Sequence, residues 1–426
     1  MKKTDLPKVL CASLMLSCFV VVCTSYAVPL PQQFPDVAYN STDNNFLVVW
    51  ENVVSDDLYD ISGAVLDAAS IGQPIIDSVV LLTGDQSIEA PEITYNSTAN
   101  EYLLVARRKS DNMALVQRIS AVGQPVGDTV ELGRCGGSTF FDAAARARVA
   151  SVAYNSTEDR YIVGIGDPMS VQILMPDLEL DLLSKSFGAG SNPSIAWSSV
   201  SNIYLMAWED REFRSTGGEN LSAVLVSNFA EADSDIIYIR DQDFAEESPR
   251  VAYNADDDQF LVIWDERFGY SDQAVIESRT DTIGQIVAAD GSVIGDPIPI
   301  EADIPYTLRQ DVDYNPTSQI YLVVWKGDPS GEFAFADIYG RYVNRDGSLN
   351  GPEFLIYDDG DDNTDMGDSE RYFDESKLPA VAANTQNGTF LVVWEESGIT
   401  QNPEDRHILS LVITPPGTAV SDWSLF

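Results

Sequence analysis

The amino-acid sequence predicts an all-β fold, a seven-bladed β-propeller with four antiparallel strands in each blade. The support comes from a repeated motif, a strand that is apolar on both faces, and a second hairpin in each repeat. The motif is an aromatic residue, a polar turn, a second aromatic seven positions later and a run similar to LVVW. Its seven copies are centred on Tyr39/Phe46, Tyr95/Tyr102, Tyr154/Tyr161, Trp197/Tyr204, Tyr253/Phe260, Tyr314/Tyr321 and Ala383/Phe390. Successive copies lie 43 to 69 residues apart, a period typical of radial or solenoid repeats.

The motif encodes one hairpin, which is clearest in the first copy. Asp36–Tyr39 and Phe46–Trp50 are the predicted strands, and the intervening NSTDNN is rich in residues that cap a tight reversal. In Phe46–Trp50 the residues that point to either face of the strand are all apolar. Such a strand needs cover on both faces, which the neighbouring blades of a propeller would provide.

A second hairpin follows each motif and is clearest in the sixth copy. Asp337–Val343 and Glu353–Tyr357 are strand-like runs that follow one another through Asn344–Gly347, and Asp-Gly is a strong hairpin signal. Residues 28–426 therefore form one predicted domain, with repeats near 34–87, 88–148, 149–191, 192–247, 248–308, 309–377 and 378–426. No blade looks split between the termini, so we expect the ring to close by blade packing instead of a shared sheet.

The N-terminal 27 residues are predicted to be a cleaved secretory signal peptide. A lysine-rich start is followed by an apolar segment, Val9–Val22, which is too short for a comfortable membrane span. Ser25–Ala27 places the cut after Ala27. Lipidation of Cys18 or Cys23 is the alternative, but the residues before Cys18 match a lipoprotein signal poorly. We therefore expect a secreted, periplasmic or cell-surface protein.

Composition excludes several classes of function. The chain has 25 Lys and Arg against 67 Asp and Glu, a formal net charge of −42. This charge repels nucleic acid and anionic membranes. No segment after the signal reaches 18 apolar residues, so no membrane span is expected in the mature chain, and we expect a monomer. Cys135 would then be the only cysteine, which rules out an intramolecular disulfide.

His407 is the only histidine in the chain. Histidine-dependent hydrolysis and multi-histidine metal binding are thereby disfavoured, and G-x-S-x-G and CxxC motifs are absent from the sequence. We expect His407 itself to lie at the surface.

A resemblance accompanies these patterns. P-x-V-A-Y-N followed by Y-L-V-V-W, and then I-Y-G-R-x-V-x-x-D-G, resembles the repeat of secreted bacterial β-propeller proteins, many of unassigned function. The segments that carry it are Pro35–Trp50, Pro249–Trp264, Asp311–Trp325 and Ile338–Gly347. The resemblance implies the fold and brings no catalytic residues. Ala106 and Ile165 stand where tryptophan is usual, and Ala383 replaces an aromatic, so looser packing is expected there.

The strand order indicates which face carries a site. With strands A to D numbered outward from the axis, A–B and C–D turns lie on one face, and B–C and D–A connections lie on the other. The A–B turn never changes length, whereas the other face carries the variable segments: 133–147, 209–220, 232–247, 265–273, 327–336 and 358–377. Function concentrates on variable loops held by a rigid scaffold, although insertions are also simply tolerated there. We expect an extracellular glycan or protein ligand on that face.

The second repeat holds an unusual concentration of basic residues. Arg107, Arg108 and Lys109 stand where other blades carry acids, and Arg134 and Arg148 flank the D–A segment on the same face. Guanidinium groups suit carboxylates or sulfates. These five residues are the candidate ligand-binding site. The alternative, pairing with neighbouring acids, is equally open.

Paired carboxylates are the one catalytic option that the composition leaves. Acidic residues follow the second strand of the motif on the variable face, and two at a suitable separation could hydrolyse a glycoside. They are Glu51, Asp167, Glu209, Asp210, Asp265, Glu266, Asp328, Glu395 and Glu396. In so acidic a chain, such a ring is expected without catalysis. A binding or scaffold module is therefore favoured, with a carbohydrate-active enzyme as the alternative.

One acidic run resembles a calcium loop. Asp359, Asp361, Asn363 and Asp365 have alternating spacing, but the glycine falls one place late and no glutamate closes the loop as an EF-hand requires. A solvated acidic loop is the favoured interpretation. Ca²⁺ is the only cofactor that the sequence suggests.

Overall fold

The computed structural model describes residues 31–55, 58–68, 78–135, 150–210, 220–240, 245–268, 279–304, 306–328, 337–358, 378–397, 406–415 and 423–425. Every regular element in these ranges is a β-strand. Within the same ranges no helix has the length and apolar character needed to cross a membrane.

Blades 1 to 4 each contain four strands, taken here from the axis outward. Blade 1 contains β1 (Gln32–Asn40), β2 (Asn45–Ser55), β3 (Leu58–Asp67) and β4 (Val79–Leu82). Blade 2 contains β5 (Ile88–Asn96), β6 (Glu101–Arg108), β7 (Met113–Ser120) and β8 (Pro125–Arg134). Blade 3 contains β9 (Ala150–Asn155), β10 (Arg160–Ile165), β11 (Met169–Leu174) and β12 (Leu180–Gly188). Blade 4 contains β13 (Gly190–Ser198), β14 (Ile203–Asp210), β15 (Asn220–Val226) and β16 (Ile237–Arg240).

Blades 5 to 7 repeat the arrangement. Blade 5 contains β17 (Ala245–Asn254), β18 (Gln259–Phe268), β19 (Arg279–Ala288) and β20 (Val293–Glu301). Blade 6 contains β21 (Tyr306–Asn315), β22 (Ile320–Asp328), β23 (Asp337–Asn344) and β24 (Leu349–Tyr357). Blade 7 contains β25 (Ala380–Asn384), β26 (Thr389–Ser397), β27 (Arg406–Ile413) and β28 (Trp423–Leu425).

Each blade is an up-and-down antiparallel sheet, so the predicted seven-bladed propeller is confirmed. A single parallel pairing, between Thr280 and Tyr306, links the sheets of blades 5 and 6. The ring closes by packing of blade 7 against blade 1, as expected, because neither blade borrows a strand from the other. The Phe34 amide donates to Glu395 at 3.3 Å, and the Ile408 amide donates to Gln32 at 3.0 Å across this junction.

The seven-residue spacing of the aromatic motif is explained by the A–B hairpin. In each blade the first aromatic position pairs directly with the second, as Tyr39 does with Phe46 and Ala383 with Phe390. All seven second-position aromatics are at most 2% exposed. Their equivalence, predicted from the spacing, is therefore confirmed.

The apolar core is divided among the seven contacts between adjacent blades. Each contact has its own buried cluster, and the B strands contribute side chains to the clusters on both of their faces. The tryptophan that ends the motif packs towards the preceding blade; Trp264, for example, lies between blades 4 and 5. Between blades 2 and 3, where Ile165 replaces it, Cys135 and Leu178 complete the cluster.

The two faces of the ring differ in regularity. All seven A–B turns have four residues, and in six of the seven an Asn side-chain oxygen at the end of the A strand caps the turn, as Asn40 caps Thr42 and Asp43. The B–C connections instead range from two residues after Ser55 to ten after Phe268. We call the side that carries the B–C and D–A connections the loop-rich face.

Candidate functional site

The A strands begin at the loop-rich face with a repeated β-bulge beside the axis. Its first residue has a positive φ in five blades, the described examples being Phe34, Ala90, Asn192, Ser248 and Arg309. Proline follows in the first four of these. Proline has no N–H and therefore leaves no unpaired donor on the axial edge of the strand.

One ring of carboxylates fixes these bulges in place. In four blades the residue after the motif tryptophan is a carboxylate that accepts a hydrogen bond from the bulge amide of the next blade. Glu51 accepts from Ala90 at 2.7 Å, and Glu209 accepts from Ser248 at 2.7 Å. Asp265 and Glu395 make the same contact, each at 3.3 Å, with Arg309 and Phe34.

A second set of side chains lies two residues after the bulge residue on the A strands. Asp36 accepts from the Ile93 amide at 2.8 Å, Glu92 from Val152 at 3.0 Å, and Asp311 from Val381 at 2.9 Å. Ser151 and Ser194 make equivalent bonds to Ile195 and Val251 at 3.1 and 3.0 Å. Every contact runs from a side chain of one blade to the backbone of the next blade in the chain.

These two rings give the buried acids a structural role. An A strand is the axial edge of its sheet. The amides on its unpaired side need hydrogen-bond acceptors from outside the sheet. Eight of the nine acids singled out after the B strands are at most 4% exposed, and Asp167 is the exposed exception. The buried acids Glu51, Glu209, Asp265 and Glu395 are thus already engaged in joining blades.

Two of the joining carboxyls have raised pKa values. Burial, reinforced by the charge of Glu247, raises the pKa of Asp265 well above its usual range. Burial and the nearby Asp311 raise the pKa of Asp313 to about 6, although the amides of Ala383 and Tyr314 donate to it. Both carboxyls are therefore protonated over a wider pH range than exposed aspartates.

Replacing Asp313 by Asn should change how stability depends on pH. Between about pH 4, where an unfolded aspartate ionises, and pH 6, the unfolded carboxyl loses its proton first. The contribution of Asp313 to wild-type stability then falls as the pH rises. The variant lacks this loss. The difference between its free energy of unfolding and that of the wild type should therefore rise by on the order of 2 kcal/mol from pH 4 to pH 6 and stay constant at higher pH.

Denaturant titrations from pH 4 to pH 7 would measure that difference. Asp346→Asn is the matched control, because Ser348 donates to Asp346 and lowers its pKa. Its difference from the wild type should vary little across this range, because a lowered pKa confines the titration of Asp346 to pH values at or below the lower end of the range. A difference for Asp313→Asn that does not vary with pH would contradict the assignment.

Two of the basic residues of blade 2 form ion pairs with neighbouring acids. Arg107 is 11% exposed and pairs with the buried Glu89, which lies opposite it on β5. Arg108 binds Asp111 at 2.8 Å and Glu131 at 2.7 Å, and these acids raise its pKa. The structure thus brings the first two candidate residues into ion pairs, the alternative left open by the sequence.

The remaining members of this candidate site are less constrained. The ammonium group of Lys109 lies 5.6 Å from the centroid of the Tyr59 ring, a cation–π contact. Arg134 is exposed at the end of β8 and pairs in register with Met113. Arg148 lies outside the described residues. Lys109 and Arg134 are therefore the exposed cations among the described members of this set.

The predicted calcium loop lies outside the described residues. Its four candidate ligands are Asp359, Asp361, Asn363 and Asp365. Among the residues that are described, no group of three or more His, Cys, Asp or Glu side chains could hold a metal ion. The expectation for His407 was wrong. It is 6% exposed and lies opposite Glu396 in the β26–β27 pair, because β27 is a C strand covered on both faces.

The bulges surround a small axial cavity that the sequence did not indicate. Six blades contribute residues to it, namely Phe34, Ala90, Asn192, Ser248, Arg309 and Leu378. Arg250 and Gln310 also line it. The space open to water molecules is about 40 Å³, enough for a few waters.

Two arginines are the only charged side chains among the described residues that line the axial cavity. Arg250 replaces the acid or serine of the second ring, and its Nε lies 3.9 Å from Asp311. Arg309 occupies a bulge position. An alignment of the repeats at these ring positions shows both residues, whereas the positions that follow the B strands do not include them.

Comparisons with known proteins give distant similarities only. No family model and no curated protein matches the chain. A prolyl endopeptidase structure aligns with a TM-score of 0.48 at 10% identity over 93% of this chain, which spans about half (50%) of that enzyme. An α-L-arabinofuranosidase from Fusarium graminearum aligns with a TM-score of 0.48 at 9% identity, over 90% of this chain and 93% of that one. A functionally unknown protein from Desulfotomaculum acetoxidans aligns with a TM-score of 0.41 at 9% identity, over 78% of each.

Proposed function

We propose that the protein is a secreted or cell-surface binding propeller that recognises an extracellular glycan on its loop-rich face. The proposal rests on the structural role of the acids at this face. Eight of the nine acids that follow the B strands are buried, and four of them accept backbone amides of the next blade. The parts of this face available to a ligand are therefore the B–C and D–A connections, which vary in length on a rigid ring.

The net charge of the chain favours a glycan with few charged groups over an extended polyanion. The chain carries a net charge of −42, which repels densely charged polymers at long range. Accessible cations nevertheless lie on this face, such as Lys109 and Arg134. A sugar chain with few charged groups can therefore approach and bind through local contacts.

A carbohydrate-active enzyme is the second candidate, and Asp265 is the observation that favours it. Its pKa is raised, and Glu247 lies opposite it on β17 and pairs with Arg267 at 2.9 Å. A buried carboxyl with a raised pKa beside a second carboxyl is typical of a general acid. Against this, Asp265 is 2% exposed and accepts the Arg309 amide.

Binding without cleavage is the expected result when purified protein is tested against a panel of neutral and uronate-containing oligosaccharides. Calorimetry should give saturable binding at one site per chain, and reducing-end assays of the same mixtures should stay at background. Release of reducing ends that disappears in Asp265→Asn, with folding retained, would establish the enzyme instead.

A pair of cysteine variants in blade 2 tests which face binds the ligand. Ser110 is exposed in the B–C connection, and Ser97 is exposed in the A–B turn. Each Ser→Cys variant is labelled with maleimide-polyethylene glycol; Cys135 is buried and its pKa is raised to about 11 by burial, so it does not react. Labelling at 110 should weaken binding at least tenfold and labelling at 97 should not. The reverse result would place the ligand on the opposite face.

A further inference from the structure

Neighbouring A–B turns are joined to one another on the face opposite the loop-rich face. The last residue of the turn has a positive φ, as Asn100 does in blade 2 and Asn202 in blade 4. The Asn100 side chain donates to Asp43 of blade 1 at 3.0 Å, and the Asn202 side chain donates to Glu158 of blade 3 at 3.3 Å. Each asparagine also accepts a hydrogen bond from the first aromatic of its own blade. One side chain thus links that aromatic to the turn of the preceding blade.

This link is absent from the described contacts between blades 5 and 6. The equivalent residues are Asp257 and Gln319, whose φ is 55°. Asp257 instead accepts from Arg345, in the C–D turn of blade 6, at 3.2 Å. The first aromatic of blade 6, Tyr314, donates to Asp256 of blade 5. The Gln319 side chain is left without a hydrogen bond to the described residues.

A second link fails at the same junction. Between blades 1 and 2, the Tyr102 hydroxyl donates to Asn45 at 3.1 Å. The equivalent residues of blades 6 and 5 are Tyr321 and Gln259. Tyr321 is fully buried and its hydroxyl has no hydrogen-bond partner among the described residues, and the Gln259 side chain makes no hydrogen bond to them either. Because buried polar groups normally have partners, the loss of both contacts marks this junction as different from that between blades 1 and 2.

An open groove of about 580 Å³ lies where the two links are missing. This volume is within the range of about 300–1,000 Å³ that is typical of ligand pockets. The A–B turns of blades 5 and 6 and the C–D turn of blade 6 line it, through Asp257, Gln259, Ser318, Gln319, Asn344, Arg345 and Asp346. The Ser318 hydroxyl also has no hydrogen-bond partner among the described residues. A ligand can therefore bond to these groups without breaking contacts between the blades.

The groove is acidic. Its lining holds Asp257 and Asp346 against one cation, Arg345, which pairs with Asp257. Residues 256–258 are all aspartate, and no other A–B turn carries more than two acids. One oxygen of Asp346 accepts from the Ser348 amide and hydroxyl at 2.9 and 2.6 Å, whereas the other makes no hydrogen bond to the described residues. Asp346 is therefore the carboxylate available to a cationic ligand.

We propose that this groove binds a basic segment of a partner protein, with Asp346 holding a lysine or arginine side chain. The side-chain amides of Gln259 and Gln319 each offer a donor and an acceptor, as a peptide group does, and pair with the backbone of the segment. The net charge of −42 attracts a basic partner. The described residues that line the groove include no aromatic side chain on which a sugar ring could stack. This second site goes beyond the proposed glycan binding and lies on the opposite face.

Fluorescence anisotropy with a fluorescein-labelled decapeptide of alternating lysine and serine tests the proposal. A decapeptide with glutamine in place of lysine should bind the wild type at least about tenfold more weakly. Added salt should weaken binding of the lysine peptide, because the contact is ionic. Asp346→Asn should lose at least about fivefold in affinity for the lysine peptide. Asp290→Asn is the matched control, because Asp290 makes the same two bonds to Ser292 in the C–D turn of blade 5 but does not line the groove.

Gln319→Asn tests the groove itself. This variant restores the residue type of Asn44, Asn100 and Asn202, the equivalent positions of blades 1, 2 and 4. The shorter side chain should bond to Tyr314 and Asp257 and so join the two turns. Affinity for the lysine peptide should then fall at least about fivefold, while the melting temperature is retained or rises.

Each outcome decides the question. Equal losses in Asp346→Asn and Asp290→Asn would show only long-range attraction to an acidic chain and would overturn the site. Equal binding of the lysine and glutamine peptides would overturn the basic chemistry, and unchanged affinity in a folded Gln319→Asn protein would overturn the groove. Displacement of the lysine peptide by sucrose would assign the groove to a sugar and overturn the protein partner. Failure of the oligosaccharide panel would overturn the proposed function alone, because the two sites lie on opposite faces.

Discussion

Replacing Trp264 by Ala should reduce the free energy of unfolding by about 3–5 kcal/mol, as truncation of large aromatic side chains in packed cores does. Trp264 is fully buried at 0% exposure and packs among side chains from blades 4 and 5, including Leu205 and Ile283. A cavity at this position would loosen the contact between two blades. Because a propeller needs every such contact to close its ring, neighbouring blades offer little room to collapse into the space.

Urea titration followed by tryptophan fluorescence and circular dichroism would measure the loss. Phe229→Ala is the control, since Phe229 is 62% exposed and its truncation leaves no internal cavity; its effect should stay within about 0.5 kcal/mol. A loss below about 1 kcal/mol for Trp264→Ala would contradict the packing described for this interface.

The architecture could be predicted from the sequence because its signals are local. The seven-residue spacing between Tyr39 and Phe46 follows from two strands that flank a four-residue turn, with Asn40 capping the turn. Asn44 at the end of the turn adopts φ 52°, a left-handed conformation that asparagine tolerates. Each of these rules acts within a few residues, and the four-residue turn recurs in all seven blades.

The site could not be predicted in the same way because it depends on contacts between blades. Glu51 looks like a surface acid in the sequence, and only its approach to Ala90, 39 residues away, shows why it is buried. Arg250 and Arg309 lie at the axis because the bulges of five blades come together there with Leu378 of blade 7. His407 follows a charged residue, Arg406, which favours a surface position, but its pairing with Glu396 inside the sheet buries it.

Glu209 should prove to be a structural residue whose removal unfolds the ring more readily. It is 4% exposed, accepts the Ser248 amide at 2.7 Å and the Ser191 hydroxyl at 2.9 Å, and also binds the Asn192 side chain. Glu209→Ala leaves three donors without an acceptor, and each buried unsatisfied group costs about 1–3 kcal/mol. We expect a loss on the order of 3–5 kcal/mol, since water can re-enter near the axis and satisfy part of this set.

Glu209→Gln separates this role from catalysis. Glutamine keeps one acceptor oxygen and the same shape, so the loss of stability should be smaller, on the order of 1–2 kcal/mol. Glycan affinity should be unchanged in Glu209→Gln, because the carboxylate faces the backbone of blade 5. If the Gln variant were as stable as the wild type and lost a measurable glycan-cleaving activity, Glu209 would be a catalytic acid. Loss of stability with binding retained would show instead that the buried carboxylates hold the propeller together and that the ligand is recognised elsewhere on the loop-rich face.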